Sequence, residues 1–545
     1  MNNLYKKANI KILGYLVLVI VILSGCKEDF LEENPHSQLS EATFWKTQED
    51  AERALVGCYR LVGGGWWSGL SGWNVYQFIG WGHRTDLGRA SNEFGKTLGT
   101  EYSPTSLDIE SLWKHNYTKI SRANYFLENI DKVNMDDDKK REMIAQVRTL
   151  RGYAYFLLSQ YFGGVPLIKK VLTFDEANCV LRNSKEEVVS FILDELTEAA
   201  NDLPTEWPSA EKGKVEKGTA LAIKGRLLMS ENRWSEAAGT YKQIIDLDRY
   251  IIDPRYKELF EDEGDDSDEI IFHLRFLQNI YTEIGVTQVD NVPDVYGGYN
   301  NLKLFQNFVD EFWMIDGESI ENSSLYDPEN PFENRDPRLY ATIFLPGYTF
   351  WRGKIFQAHP DSTIPSQGVS SSKTGYCLKK FADENYDGGL YNYGGDFKLI
   401  RYAEVLLSYL ESKLEAGDPV DQVLLDETIN KVRSREAVNM PPVNETNPDN
   451  LRKIIRRERI VELGCEGGIR HWDIYRWRIA HEVLNRNFYG MKITDDPENY
   501  TEQFIINEDG YVYNCKKTFH EYNYLWPIPL SEIDINKTLE QNPGY

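Results

Sequence analysis

Residues 63–82, GGGWWSGLSGWNVYQFIGWG, set four tryptophans (Trp66, Trp67, Trp73 and Trp81) among seven glycines. A glycine-rich excursion has no regular face that turns such rings inward, so they can lie flat and meet water. That arrangement suits a sugar. A pyranose ring carries C–H patches on its faces, where an indole or phenol stacks, and hydroxyls on its rim, where amides and guanidinium groups hydrogen-bond. Asn74 and Arg84 stand beside the rings to serve the rim. The competing assignment is a small core beneath the loop, and we expect the four rings to divide between the two roles. A second loop, DNVPDVYGGYNNLK (290–303), offers Tyr296, Tyr299 and Asn300 in the same mixture, and Trp351 is a further candidate.

Catalytic patterns are scarce by comparison. The chain has no G-x-S-x-G, H-E-x-x-H or phosphate-binding glycine loop. His481-Glu482 starts like a zinc-protease motif but lacks the second histidine, and the eight histidines are scattered. The run EDEGDDSDEI (261–270) lacks the glycine and glutamate offsets of an EF-hand. It admits two readings, a solvated acidic turn before a strand or a calcium site. With 85 Asp and Glu, paired carboxylates occur everywhere, and a count is not a site. The expectation is binding without catalysis, and no cofactor.

Composition narrows the partners. Across 545 residues the formal net charge is −24, which argues against nucleic acid and against adsorption to an anionic bilayer. At 41% hydrophobic the chain can bury a large core, and its 33 tyrosines supply half-polar rings. Lys6, Lys7 and Lys11 precede an apolar run from Ile12 to Leu23, too short to span a membrane comfortably, so residues 1–25 read as a secretory signal. The ending Leu23-Ser24-Gly25-Cys26 resembles a bacterial lipobox, which implies cleavage before Cys26 and acylation of its thiol. Residues 26–38 then form a polar tether. The other five cysteines (58, 179, 377, 465 and 515) are odd in number and widely spaced, which supports neither a disulfide framework nor zinc.

What must hold the loops is helical. SEATFWKTQEDAERALVGCYRLV places Ala51, Ala54, Leu55 and Cys58 on one face, with Ser40 as N-cap. Residues 111–131 and 139–162 give two more helices, the second stopped by Gly163-Gly164 and Pro166. SKEEVVSFILDELTEAANDLP follows, then a short helix from Ala220 to Ser230, a turn, and a second helix seated on Ala237-Ala238. This pairing resembles a tetratricopeptide unit. Residues 399–416 with 422–437, and 450–482, form further pairs. Between about 250 and 398, glycine, proline, asparagine and tyrosine rise, which marks a loop-rich lobe with a few short strands such as Glu269 to Leu274.

Several segments together resemble SusD/RagB-type outer-membrane nutrient-binding lipoproteins of Bacteroidetes: RGYAYFLLSQYFGGVPLI (151–168), NRDPRLYATI (334–343), IRYAEVLLSYLESKLEAG (400–417), IRRERIVELGCEGGIRHWDIYRW (455–477) and YLWPIPLSEIDINKTLEQNPGY (524–545). The resemblance implies a mostly α single body over 39–545. Its scaffold of four tetratricopeptide-like helix pairs lies in 39–250 and 399–490, and the ligand-binding lobe in 250–398. It also implies a surface-exposed lipoprotein that captures glycan and delivers it to a SusC-like TonB-dependent transporter. Lys27-Glu28-Asp29 resembles the surface-export signal of such lipoproteins, with an ordinary solvated tether as the alternative. Arg151, Tyr153, Tyr155 and Phe156 should pack helix on helix, and Arg457, Arg459 and Glu462 should form charged networks. Asp86 reads as structural. Two other functions stay open: the same architecture capturing peptides, and a secreted hydrolase.

Overall fold

The computed structural model describes residues 44–59, 81–90, 102–279, 292–359, 374–500 and 504–545. Its principal helices are α1 (Gln48–Tyr59), α2 (Leu107–Asn129), α3 (Asp137–Phe162), α4 (Lys185–Asp202), α5 (Lys217–Ser230), α6 (Trp234–Ile245), α7 (Tyr402–Glu415), α8 (Pro448–Leu463) and α9 (Ile469–Arg476). Local chemistry sets their ends. The Asp136 carboxylate accepts the first free amides of α3, and Gly163, at φ 74°, closes it. A capping box between Ser184 and Glu187 starts α4.

The helices stack in sequence, α2 on α3, α3 on α4, α4 on α5, α5 on α6, α6 on α7, and α7 on α8. Small residues permit the closest approach, since a Cβ on Gly225 of α5 would meet the Tyr241 ring of α6 at 2.5 Å. Tyr153, Tyr155 and Phe156 are buried as expected, each such ring removing apolar area worth roughly 1.5–3 kcal/mol from water. Arg151 ties three helices together, donating to Glu195 at 2.7 Å and to Asn124 at 2.8 Å. Among the described residues, no helix is long and apolar enough to cross a membrane.

Short strands frame the lobe: β1 (Gly88–Ala90), β2 (Ile270–Leu274), β3 (Leu302–Leu304), β4 (Ile343–Phe344), β5 (Phe350–Trp351), β6 (Lys354–Ile355), β7 (Cys377–Leu378), β8 (Phe397–Arg401), β9 (Asn487–Lys492) and β10 (Tyr511–Lys516). One four-stranded antiparallel sheet runs in the order β1-β3-β7-β4. The β2–β8 pair joins the front of the lobe to the strand that leads out of it into α7.

A buried ion cluster locks lobe to scaffold. Arg338 reaches Asp336 at 2.7 Å, Glu458 at 2.6 Å and Glu462 at 3.0 Å. Arg435 meets Glu269 and Glu462, and Arg401 meets Glu466 at 2.7 Å. The expected network around Arg459 and Glu462 is therefore present, with Arg459 on Asp473 at 2.8 Å. Arg457 reaches Glu458 of the same cluster at 3.8 Å and also lays its guanidinium over the Trp313 ring at 3.9 Å.

Two local expectations need correction or limit. The first described helix starts at Gln48, and Ser40 lies outside the described residues. The helix expected over 422–437 breaks at Thr428, where ψ is −96°. The pair expected over 450–482 is present as α8 and α9, divided where Cys465, Gly467 and Gly468 all take positive φ after Leu463.

Candidate functional site

Two tyrosine loops meet on the lobe. In the first, a single turn over Asp294–Tyr296 ends at Gly297, whose φ of 89° is a left-handed conformation that glycine adopts freely. The Gly297 amide donates to the Asp294 carbonyl at 2.8 Å, and the chain then presents Tyr299 at 36% exposure. In the second, Gly388-Gly389 leads into a turn over Leu390–Asn392 that presents Tyr391 at 45% exposure. Its neighbour Tyr393 points inward and packs on Tyr386, centroids 5.2 Å apart. Tyr299 and Tyr391 meet with centroids 6.1 Å apart and planes 73° apart, their hydroxyls hydrogen-bonded.

The β5–β6 hairpin flanks this pair. Arg352 (φ 46°) and Gly353 (φ 80°) make its turn. Alternation across so short a strand sends Phe350 outward, 62% exposed, and Trp351 inward, fully buried against Phe344. Two bonds tie the hairpin to both loops: the Tyr296 hydroxyl donates to the Lys354 carbonyl at 3.3 Å, and the Arg352 guanidinium donates to the Tyr386 carbonyl. Nearby, Tyr348 stands exposed and stacks on Tyr340 at 5.1 Å and 18°. The result is a set of partly exposed rings whose stems are held by the core. Burial raises the Tyr296 phenol to about 12, so it stays a neutral donor and acceptor.

The residues named from sequence fall into distinct groups. Tyr296 and Tyr299 come together here. Trp66, Trp67, Trp73, Asn74 and the acylation candidate Cys26 lie outside the described residues, as does the side chain of Trp81. Three expectations are corrected by burial. Arg84 is sealed in an ion pair with Asp108 and lies over the Trp526 ring at 4.5 Å. Asn300 is buried where its backbone, at φ 45°, turns back to bond Val292. Trp351 is core. Asp86, read as structural, forms a buried bidentate pair with Arg470 at 2.9 and 2.6 Å. Sequence reasoning missed Tyr391, although GGLYNYGG (388–395) repeats the glycine–tyrosine alternation of YGGY (296–299).

Two other places were open to a ligand. A cavity of about 810 Å³ opens between α1, α3, the 207–214 loop and β2. Its aromatic polar ends are already used by the scaffold: the Tyr59 hydroxyl donates to Gln146 and accepts from the Val215 amide, and the Trp207 ring N–H donates to the Val215 carbonyl. In the acidic run at 261–270, Asp265 pairs with Lys398 at 2.6 Å. The described residues hold no group of three or more His, Cys, Asp or Glu arranged to bind a metal ion.

The comparisons with known proteins agree with this architecture. The model of the SusD family matches residues 268–545, and a second family model, described as starch-binding and associating with the outer membrane, matches residues 29–229. A SusD-like carbohydrate binding protein of Bacteroides fragilis superposes with a TM-score of 0.84 at 33% identity, covering 91% of this chain and 100% of that one. A SusD-like protein of Formosa agariphila is 25% identical over 99% of this chain and 100% of its own length. The starch-binding protein SusD of Bacteroides thetaiotaomicron is 22% identical over 82% of this chain and 80% of its own. A helix-pair scaffold carrying a loop-rich lobe, matched in sequence over its whole second half, makes this chain a member of the SusD family.

Proposed function

We propose that this protein is a non-catalytic glycan-binding lipoprotein of the outer-membrane surface. It captures oligosaccharide on the Tyr299–Tyr391 shelf and passes it to a TonB-dependent transporter. The observation that carries the reading is the exposure of two rings on glycine-hinged loops whose stems are fixed by the β5–β6 hairpin. Rings held still and half-exposed stack on sugar faces without first losing rotamer freedom, which lowers the entropic cost of such contacts. The carbohydrate-binding name of the 33%-identical B. fragilis protein supports the ligand class. The outer-membrane description of the family over residues 29–229, together with the Cys26 lipobox, supports the location.

Affinity electrophoresis of the body beginning at Lys27, through gels containing plant, host and microbial glycans, tests the reading. At least one glycan should retard the protein, and Tyr299→Ala should restore free migration. Retardation by no glycan, or retardation that Tyr299→Ala and Tyr391→Ala both leave intact, overturns it. For the transporter, the test is co-purification from detergent-solubilised membranes with a β-barrel partner.

A further inference from the structure

Exposed apolar side chains follow α2 from end to end. Leu107 opens the helix at 74% exposure. Beside the first turns lies the short helix Leu530–Ile535, whose Leu530 amide donates to the Pro104 carbonyl at 2.8 Å and whose Ser531 hydroxyl donates to Glu110 at 2.9 Å. Leu530 and Ile535 are both exposed. Just past Ile535, the Asn536 side chain and the Thr538 hydroxyl donate to the Val180 carbonyl at 2.8 and 2.9 Å. The next residue there, Leu181, is 70% exposed. The 171–181 excursion reaches the far end of α2, where the Val171 amide donates to Glu128 at 2.7 Å. Within it a capping box between Thr173 and Glu176 fixes the turn Phe174–Ala177. That turn holds Phe174 in water at 82% exposure, the highest of any large apolar side chain among the described residues. With 23 residues, α2 makes the row about 34 Å long.

A lone exposed leucine is ordinary, whereas a row of apolar side chains marks a surface that meets another molecule. Its position narrows the occupant. The chain enters the described body at the Val171 end, where Phe44 packs on Trp45, and Trp45 packs on Tyr125 and Phe126 in the last two turns of α2. Only residues 27–43 separate Phe44 from Cys26. The proposed acyl group on Cys26 therefore holds this end of the body near the bilayer. The family model described as associating with the outer membrane covers residues 29–229, which carry four of the six side chains, Leu107, Val171, Phe174 and Leu181. Charge then separates protein from lipid. Proteins that lie on anionic lipid hold it with spare cations, and the cations along this row are engaged. Lys170 pairs with Glu176 at 2.7 Å, Lys537 with Asp534 at 3.0 Å, and Lys114 with Glu110. Lys169 lies over the Phe191 ring at 4.8 Å, and Arg182 donates to the Phe162, Gly164 and Glu540 carbonyls. An apolar row with a neutralised polar rim is the composition of a protein interface.

We propose that this row, running from Leu107 through Leu530, Ile535 and Leu181 to Phe174 and Val171, is the face that docks on the membrane-embedded β-barrel transporter. Phe174 and Leu181, the side chains standing furthest into water at the tethered end, are its anchors. The assignment rests on the transporter half of the reading above and is independent of which glycan the tyrosine shelf takes.

Co-purification of the full chain from detergent-solubilised membranes tests this for wild type, Phe174→Asp and Leu181→Asp, with Val423→Asp, an exposed apolar site beyond α7, as control. All three side chains stand in water, so the variants should melt with the wild type and keep glycan retardation. The amount of β-barrel partner recovered with Phe174→Asp and Leu181→Asp should fall about tenfold or more, as it does when an interface anchor is lost. The control should recover it in full. Undiminished recovery with both variants, or equal loss with Val423→Asp, overturns the docking face while the transporter reading stands. A wild type that brings down no β-barrel ends both together. Two further measurements on the body beginning at Lys27 identify a different occupant. Flotation with vesicles of phosphatidylethanolamine and phosphatidylglycerol that Phe174→Asp abolishes assigns the row to lipid. A dimer in sedimentation that Phe174→Asp dissociates assigns it to a second copy. Either result overturns the proposal.

Discussion

Tyr299 and Tyr391 lie 92 residues apart in sequence and join hydroxyl to hydroxyl with their rings nearly perpendicular. Edge-to-face pairs of this kind contribute about 0.5–1.5 kcal/mol beyond burial. Each ring therefore positions the other, and neither loop presents its ring independently. A flat sugar face can lie parallel to one of these planes at a time, and an oligosaccharide whose rings turn along the chain can engage both.

Removing either ring separates binding from stability. Tyr299→Ala and Tyr391→Ala should each weaken binding about tenfold or more, taking stacking on a base as the guide at roughly 1–3 kcal/mol per ring. Because both side chains are partly exposed, the stability change should stay within about 1 kcal/mol. Titration calorimetry against the glycan selected by electrophoresis, with thermal melts alongside, measures both. The double variant should lose less than the sum of the singles, since each ring steadies the other.

Local signals made much of the scaffold legible. Ser184 with Glu187 three residues on, and Gly163-Gly164 before Pro166, announce helix ends through bonds that span a few residues. Tyr296 and Tyr299 were legible for the same reason, because YGGY can only turn. Their partner was not. Tyr391 joins the candidate shelf through the Arg352 bond to Tyr386 and the Asn279 bond to Asn392, contacts that no local pattern encodes. Arg84 failed in the same way, since its role is set by Asp108 and by Trp526, far along the chain. Long-range partners decide whether a polar or aromatic side chain faces a ligand or the core.

The glycine hinge gives a sharper test than ring removal. At Gly297 an added Cβ would find its nearest neighbour, Leu390 Cδ1, at 3.7 Å, so there is room for it. The φ of 89° is the obstacle, and an alanine there costs about 1–2 kcal/mol of backbone strain. Relief of that strain rotates the turn that carries Tyr299. Gly297→Ala should therefore lower affinity severalfold. Gly417→Ala, at φ 78° with open space in the scaffold, should cost similar stability and leave affinity unchanged. Paired melts and calorimetry of the two variants decide the matter.

Acid should unlock the ion cluster between lobe and scaffold. Burial alone would raise the Glu458 carboxyl, yet Arg338 and then Arg433 outweigh it and hold the group down at about 2. Glu462 is likewise lowered despite its burial, by Arg435, Arg401 and Arg338. A depressed carboxyl contributes stability that is present above its unfolded value, near 4.5, and lost as pH falls toward the folded value. Urea midpoints should thus drop steeply below about pH 4.5. Arg338→Met, which leaves buried carboxylates short of a partner, should cost roughly 3–5 kcal/mol at neutral pH and flatten that acid slope. A midpoint indifferent to acid in the wild type would contradict the assignment.

Phe350 and Trp351 are adjacent and face opposite ways, which makes them an internal control for the shelf. Trp351 is fully buried and packs on Phe344 at 5.1 Å, so Trp351→Ala opens a cavity and should cost about 3–5 kcal/mol. Any loss of binding in that variant should track the melting temperature and recover on cooling. Phe350 is 62% exposed and paired in register with the exposed Ile355. Phe350→Ala should change stability by less than about 0.5 kcal/mol. If the hairpin extends the tyrosine shelf, that variant loses affinity at every temperature; if the shelf ends at Tyr299 and Tyr391, its isotherm overlays the wild type. Calorimetry at two temperatures separates these outcomes, and the Phe350 result fixes how far the ligand reaches across the lobe.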